Sequence, residues 1–240
     1  MKLPKLTDRF PLEIGTSAPL LIRQESVHLG LGGEELKLLF ASDLHLGGRR
    51  SLRAIEQLVA AVTETKPNLV LLGGDLVDFR WGIPLLESCV LQLVAQAPVW
   101  AISGNHDVWV GMTAMRRAVE TGGGFWLEEN SVKLSTIRID GFVDHDPTSR
   151  ALRILCAHNP AVFSFAVAAG YSLVLAGHLH GCQWVFWERL NRLYPGAWFY
   201  RWNGLRFELN NATLIVSRGM GDTLPVRWNC PREVILCNIF

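Results

Sequence analysis

Five short segments gather the side chains that hold metal ions or move protons. They are Asp43-Leu44-His45, Gly73-Gly74-Asp75, Gly104-Asn105-His106-Asp107, Ala157-His158-Asn159 and Gly177-His178-Leu179-His180-Gly181, and they contain five of the chain's seven histidines. Carboxylate, imidazole and amide oxygen are the ligands of hard and borderline divalent cations. Two such ions about 3.5–4 Å apart can grip both sides of a phosphoryl centre and bring the pKa of a bound water toward neutrality. Taken singly, Asp-x-His is a weak signal and Gly-Gly-Asp after a strand is often a plain turn. Gly-Asn-His-Asp and Gly-His-x-His-Gly are more pointed, because neither composition is needed to build a loop. The force lies in the ordered set, each member following an apolar run. His28 and His145 read as ordinary strand or loop positions.

The elements that must position these segments follow from the pattern. Leu36–Ala41, Leu69–Leu72, Val99–Ile102, Arg153–Cys156 and Ser172–Ala176 are short apolar runs that read as buried strands, each delivering one segment at its end. Between them, Ser51 to about Thr65 reads as a helix capped by Ser51, with Leu52, Ile55, Leu58, Val59 and Val62 on one face. Pro84 to about Gln96, Thr113–Glu120 and Ala161–Ala169 read as further helices. Leu20–Leu31 alternates and meets Gly32-Gly33, a hairpin signal, and Phe125–Ile139 reads as short strands joined at Glu129-Asn130. Thr213–Val216 and Val234–Ile239 read as closing strands. Early β-α-β alternation that gives way to a strand-rich second half predicts two stacked sheets with helices outside, in one domain over residues 1–240.

Composition narrows the classes. At 240 residues with 49% apolar and 19% charged residues, the chain has the makings of a substantial core. A net charge of +1, with Arg49-Arg50 and Arg116-Arg117 as the basic pairs, argues against a nucleic-acid substrate. Cys89, Cys156, Cys182, Cys230 and Cys237 form no CxxC pair and read as reduced thiols of a cytoplasmic protein. No apolar run approaches the ~20 residues of a membrane span, and the first fifteen residues lack the pattern of a secretory signal.

The ordered segments resemble the signature of the calcineurin-like metallophosphoesterase superfamily, D-x-H, G-D, G-N-H-D/E, H and G-H-x-H. His158-Asn159-Pro160, the run from Gly177 to Gln183, Ser217-Arg218-Gly219-Met220-Gly221, Pro225-Val226-Arg227 and Pro231-Arg232-Glu233 resemble its bacterial branch of small phosphodiesterases and UDP-2,3-diacylglucosamine pyrophosphatases. The resemblance implies a four-layer α-β-β-α sandwich with two mixed sheets and a dimetal site at one edge. It implies one metal on Asp43, His45, Asp75 and His180, and a second on Asp75, Asn105, His158 and His178, with Asp75 bridging. It implies His106 as general acid or phosphate contact, oriented by Asp107, and hydrolysis by a metal-bridging hydroxide. Mn²⁺ suits the mixed ligand set, with Zn²⁺ or Fe as alternatives. Two departures bear on the substrate: Cys182 stands where the branch often has glycine, and the stretch from Asp107 to His158 is short.

Arg218 and Arg227 are expected to bind substrate phosphate, or else to pair with Glu233 and Asp222. Residues 184–206 hold four of the nine tryptophans, in Trp184–Trp202, with Phe186, Leu190, Tyr194, Phe199 and Tyr200. Read as a helix ended by Pro195-Gly196, the first part presents an aromatic face beside Arg189 and Arg192. That is the pattern of a lid taking acyl chains at a membrane surface, with peripheral contact to the inner membrane. The same pattern fits a helix packed on the protein's own core or at a dimer interface. A protein phosphatase or nuclease using the same metals, or a non-catalytic scaffold, are the competing functions.

Overall fold

The computed structural model describes residues 12–15, 17–32, 35–134, 136–145, 151–222 and 224–240. Its strands are β1 Leu12–Ile14, β2 Leu21–Val27, β3 Leu36–Ala41, β4 Leu69–Gly73, β5 Val99–Ile102, β6 Phe125–Trp126, β7 Ser131–Leu134 and β8 Ile137–Asp140. They continue with β9 Leu152–Cys156, β10 Leu173–Ala176, β11 Val185–Arg189, β12 Arg192–Pro195, β13 Arg206–Leu209, β14 Ala212–Val216, β15 Val226–Trp228 and β16 Glu233–Ile239. The helices are α1 Ser51–Thr65, α2 Ile83–Val94, α3 Asn105–Val110, α4 Met112–Thr121 and α5 Phe163–Ala168.

Two six-stranded mixed sheets face each other, one in the order β2-β16-β3-β4-β5-β6 and the other β13-β14-β10-β9-β8-β7. β4, β5 and β10 are buried along their whole length, which is why they read as unbroken apolar runs: both faces of each sheet are covered. Leu38, Phe40, Leu71 and Ile102 of the first sheet meet Ile139, Ile154, Leu175 and Ile215 of the second in the inter-sheet core. α1, α2 and α4 cover the outer face of the first sheet. α5, with Trp202 and Phe207, covers that of the second. The result is an α-β-β-α sandwich. Phe40 ties the core to the loop that carries Asp75, because a side chain at Gly73 would collide with its ring. Burying such a ring stabilises by about 1.5–3 kcal/mol.

Several expectations need correction. β2 and β3 do not pair: β16 lies between them, parallel to β2 and antiparallel to β3, so no hairpin turns at Gly32-Gly33, and Gly33 lies outside the described residues. A local turn signal cannot register a strand inserted from the far end of the chain. Ser51 does not cap α1. Arg50 holds the cap position without a side-chain bond, while the Ser51 hydroxyl accepts from Gly47 N (2.9 Å) and donates to Gly48 O (2.9 Å). Leu52, grouped with the buried face by spacing, is exposed. The Gly-Asn-His-Asp segment itself opens a short helix, α3, ahead of α4.

The largest correction is at Val185–Pro195, which forms the antiparallel hairpin β11–β12 and not a helix. Leu190 and Asn191 both adopt left-handed φ (51° and 60°), as a two-residue hairpin turn requires. Trp187 lies opposite Tyr194 and their rings stack at 5.3 Å. Such cross-strand aromatic pairs stabilise hairpins, and a helical wheel drawn over the same residues cannot see them.

Candidate metal centre

Three parallel strands of the first sheet, β3, β4 and β5, and two of the second, β9 and β10, end at one edge of the sandwich. Asp43 and His45 follow β3, Asp75 and Asp78 follow β4, Asn105 and His106 follow β5, His158 follows β9, and His178 and His180 follow β10. The sheets are joined there by Asp43, whose carboxylate accepts from His178 N (3.0 Å). The chain turns sharply to aim these side chains inward. Asp43, His45, Asp75, His178 and His180 all have left-handed φ, between 49° and 72°. Residues of this kind tolerate that region best, yet its cost gathers at functional sites. Two motif glycines are required by close approach: a Cβ at Gly104 would overlap the Asp75 carboxylate, and one at Gly177 the Asp43 carboxylate.

The ligand atoms converge in overlapping groups, Asp43–His45–His180, His45–Asp75–His106 and Asp75–His158–His178, each within 4.8 Å. Asp75 belongs to two of them. Its Oδ2 lies 3.2 Å from His158 Nε2, and its Oδ1 accepts from His106 N (2.8 Å). His158 Nε2 is also 3.1 Å from Asn105 Oδ1 and 3.2 Å from His178 Nδ1, while His158 Nδ1 lies 2.9 Å from the Gly73 carbonyl. Across the site His45 Nε2 meets His180 Nε2 at 3.2 Å, and His180 Nε2 lies 3.5 Å from Asp43.

This donor set fits divalent cations. With its Nδ1 proton given to Gly73 O, His158 turns an Nε2 lone pair toward a carboxylate oxygen, an amide oxygen and a second imidazole. Only a positive species reconciles so many acceptors, and without a metal a proton serves. His158 is accordingly raised to about 9, burial opposing the shift and the bond to Asp75 and the charges of Asp43 and Asp75 outweighing it. Asp75 is lowered to about 2, its burial overcome by His158, the His106 amide and His45. Burial, then Arg227 and His45, hold His180 down at about 4 against the pull of Asp43. His180 therefore stands neutral, with a single ring-nitrogen lone pair.

Asp107 does not orient His106. Its carboxylate is fully buried and accepts from the amides of Leu76 (3.0 Å), Val77 (3.0 Å) and Gly104 (2.9 Å), tying the Asp75 loop to the start of α3. Burial raises it to about 6, against those three donors. The carboxylate on His106 is Asp78, 2.9 Å from its Nδ1, and the same Oδ1 lies 2.6 Å from His45 Nδ1. The sequence reading missed Asp78. Its signal was position, three residues beyond Asp75 on the same turn of chain. The ring of His106 is partly exposed, and its Nε2 has no partner among the described residues.

Arg218 and Arg227 do not line an open site. Both are buried. Arg218 pairs with Glu233, and Arg227 Nε with Asp222 (2.5 Å). Arg227 also donates to the carbonyls of Arg218 (2.8 Å) and Gly221 (2.5 Å) and reaches His180 Nδ1 at 3.3 Å. It braces the Ser217–Gly221 loop behind the ligands, so the pairing alternative holds for both. Cys182, with left-handed φ (58°), packs on Gly196 and has its thiol 3.6 Å from Asn203 Oδ1, at the base of the hairpin.

Two facing mixed sheets with a carboxylate–imidazole cluster at their shared edge define a metallohydrolase of the α-β-β-α type. The chain belongs to the calcineurin-like phosphoesterase family, which matches residues 36–189. It is 29% identical over 242 residues to the phosphodiesterase YaeI of Escherichia coli, covering 91% of this chain and 87% of that protein. It is 27% identical over 235 residues to an uncharacterized metallophosphoesterase of Helicobacter pylori, covering 89% of this chain but only 62% of that longer protein. Among solved structures, a dimetal phosphatase of Danio rerio superposes with a TM-score of 0.51 at 11% identity, over 79% of this chain and 89% of that one. TT1561 of Thermus thermophilus superposes at 0.52, also at 11% identity, over 78% and 91%. Those likenesses concern the fold. No helix among the described residues is long and apolar enough to cross a membrane.

Proposed function

We propose that this protein hydrolyses a phosphodiester or pyrophosphate bond with two divalent cations, one held by Asp43, His45, Asp75 and His180 and the other by Asp75, Asn105, His158 and His178. The observation that carries the reading is the position of Asp75, which shares its carboxylate between two histidine groups. When bound, the cations supply a Lewis acid for the phosphoryl oxygens and an acidified water. The chain's own residues do the rest. His106 holds a proton at Nε2 for the leaving oxygen, and Asp78 on its Nδ1 fixes the ring and its tautomer. Asp107 holds the loop that carries Asp75 and Asp78. Mn²⁺ is the cation best suited to this mixture of carboxylate, imidazole and amide.

Elemental analysis alongside hydrolysis of bis(p-nitrophenyl) phosphate tests the reading. Two metals per chain with metal-dependent turnover are expected. A folded protein that retains none and is inactive with Mn²⁺, Zn²⁺ and Fe²⁺ overturns it.

The exposed hairpin supports a second element: a lipid-linked substrate met at a membrane surface, as for a UDP-2,3-diacylglucosamine pyrophosphatase. Leu190 at the tip is 85% exposed and Phe199 beside its base 78%, with Phe186 and Trp198 also exposed. Arg189 and Arg201 are exposed next to them. Aromatic side chains with arginines alongside suit the headgroup region of anionic lipid. Liposome flotation tests this. Wild type should float with anionic vesicles and a Phe186→Glu, Leu190→Glu variant should not. A wild type that stays with the soluble fraction removes the lipid element and leaves the phosphoesterase.

A further inference from the structure

A cleft of about 270 Å³ adjoins the metal cluster and has no part in the chemistry above. His45 and Asp78 form its inner wall, so it is continuous with the ligands. Arg49 and Arg50 line it, as does Phe79. Phe79 and Trp81 stack with centroids 4.5 Å apart and planes 11° from parallel, and they remain 49% and 66% exposed. Trp81 is held in this position, its indole N–H donating to Gly47 O (2.6 Å). Gly47 sits beneath both rings.

The charges in the cleft are unequal in their freedom. Asp78 is engaged by His45 and His106, and Asp222 by Arg227. Arg49 and Arg50 are exposed and have neither an ion pair nor a side-chain hydrogen bond among the described residues. Two guanidinium groups without an ionic partner, that of Arg50 resting on Gly15, beside carboxylates that are already satisfied make a site for an anion. A fixed aromatic pair with open faces makes a site for a flat ring. The volume lies just under the range of about 300–1,000 Å³ usual for small-ligand pockets, which suits part of a substrate and not a whole one.

The geometry points to this cleft as the subsite for the portion of the substrate beyond the scissile phosphate, and to that portion as a flat ring joined to a second anionic phosphate. Arg49 and Arg50 take the phosphate, and Phe79, backed by the stacked Trp81, takes the ring. The inference rests on the proposed phosphoesterase reading for what lies next to the cleft. Its test reads binding, not turnover.

Equilibrium dialysis of the Mn²⁺-loaded protein with ADP, AMP and ribose 5-phosphate separates the two contributions. Wild type should bind ADP about tenfold or more tightly than AMP, the worth of one or two charge-assisted contacts, and AMP more tightly than ribose 5-phosphate. Arg49→Ala with Arg50→Ala should erase the ADP-over-AMP preference. Phe79→Ala with Trp81→Ala should erase the AMP-over-ribose 5-phosphate preference. Arg116→Ala with Arg117→Ala, which removes the same net charge outside the cleft, should erase neither, and thermal melts confirm that each variant folds. Preferences that survive in both cleft variants, or that vanish equally in the Arg116 and Arg117 variant, overturn the assignment. Metal content and aryl phosphodiester turnover of the same wild-type protein judge the parent reading separately. If both fail while ADP binding still depends on Arg49 and Arg50, the cleft stands as an anion-binding site and the phosphoesterase reading, with the subsite's place beside a scissile phosphate, falls.

Discussion

The metal cluster and the aromatic hairpin lie a few residues apart in the chain and break the ordinary rule of burial in opposite directions. At the cluster, Asp43, His45, Asp75 and His180 are polar and buried. In the hairpin and the loop beside it, Phe186, Leu190, Trp198 and Phe199 are apolar and exposed. Each carries left-handed residues without glycine, at Asp43, His45, Asp75, His178 and His180 in one and at Leu190 and Asn191 in the other. Burying carboxylates and imidazoles is costly unless they are paired or bind a cation. Exposing large rings is unremarkable singly but carries meaning as a cluster. The first region therefore calls for something positive at its centre, and the second for something apolar over its surface. The cluster is also tied into both sheets, whereas the hairpin's apolar anchor is small: Val185 and Leu193, packed with Cys230 and Leu205. Damage should be severe in one and mild in the other.

The largest expected effect tests the cluster at its centre. Asp75→Asn should abolish turnover and lower metal content at both sites together, read by elemental analysis beside kinetics. A variant that keeps two tightly held metals and full turnover would break the contrast. His106→Ala should keep its metals and lose about 10²–10⁴-fold in turnover, less for p-nitrophenyl than for alkyl leaving groups. Equal losses with both leaving groups would leave His106 as a phosphate contact alone. Asp78→Asn should cost about 10–100-fold, as expected of a group that orients ligands and acid without touching substrate. No loss there would mean that the 2.9 Å contact with His106 and the 2.6 Å contact with His45 do not position either ring.

A buried ion pair next to both regions sharpens the comparison through stability. Arg218→Ala leaves the buried Glu233 with Arg23 (3.2 Å) as its one remaining cationic partner and should destabilise by up to about 3 kcal/mol, below the cost of a wholly unpaired charge. Arg218 and Arg23 hold Glu233 below its ordinary value against the effect of burial. A depressed carboxyl contributes stability that is present above its unfolded value, about 4.3, and is lost as pH falls through the folded one. The variant's carboxyl, held down by Arg23 alone, protonates at higher pH than the wild type's. Its deficit in urea midpoint should therefore narrow as pH is lowered toward about 4.3. A constant deficit across pH would mean that packing, not charge, is lost.

The smallest effect belongs to the hairpin tip. Leu190→Asn should raise stability by up to about 1 kcal/mol, because asparagine accepts the left-handed turn that leucine resists. The same change should weaken vesicle flotation. A gain in stability with unchanged flotation would move the lipid contact away from the tip.

The five candidate metal-binding segments and the strands that carry them were legible because both signals are local: an apolar run of four to six residues, then a charged or imidazole side chain where the run ends. The same locality explains the errors. Asp107 stands beside His106 in sequence, yet helix geometry turns it inward onto the amides of Leu76 and Val77, and Asp78 arrives from another strand to hold the ring. Arg227 approaches His180 across 47 residues, and whether such a residue faces substrate or braces a loop depends on which partner is nearer in space. Trp184–Tyr194 satisfies a period of 3.6 on paper. The choice of a hairpin rests on two left-handed residues at its tip and a cross-strand Trp187–Tyr194 stack, neither of which a wheel contains. Sequence by itself determined which residues carry metal-binding chemistry at strand ends and which runs must be buried, since these follow from side-chain type and period. Tertiary structure decided strand order, with β16 inserted between β2 and β3, and decided which carboxylate meets which imidazole, since those depend on contacts between residues far apart in the chain.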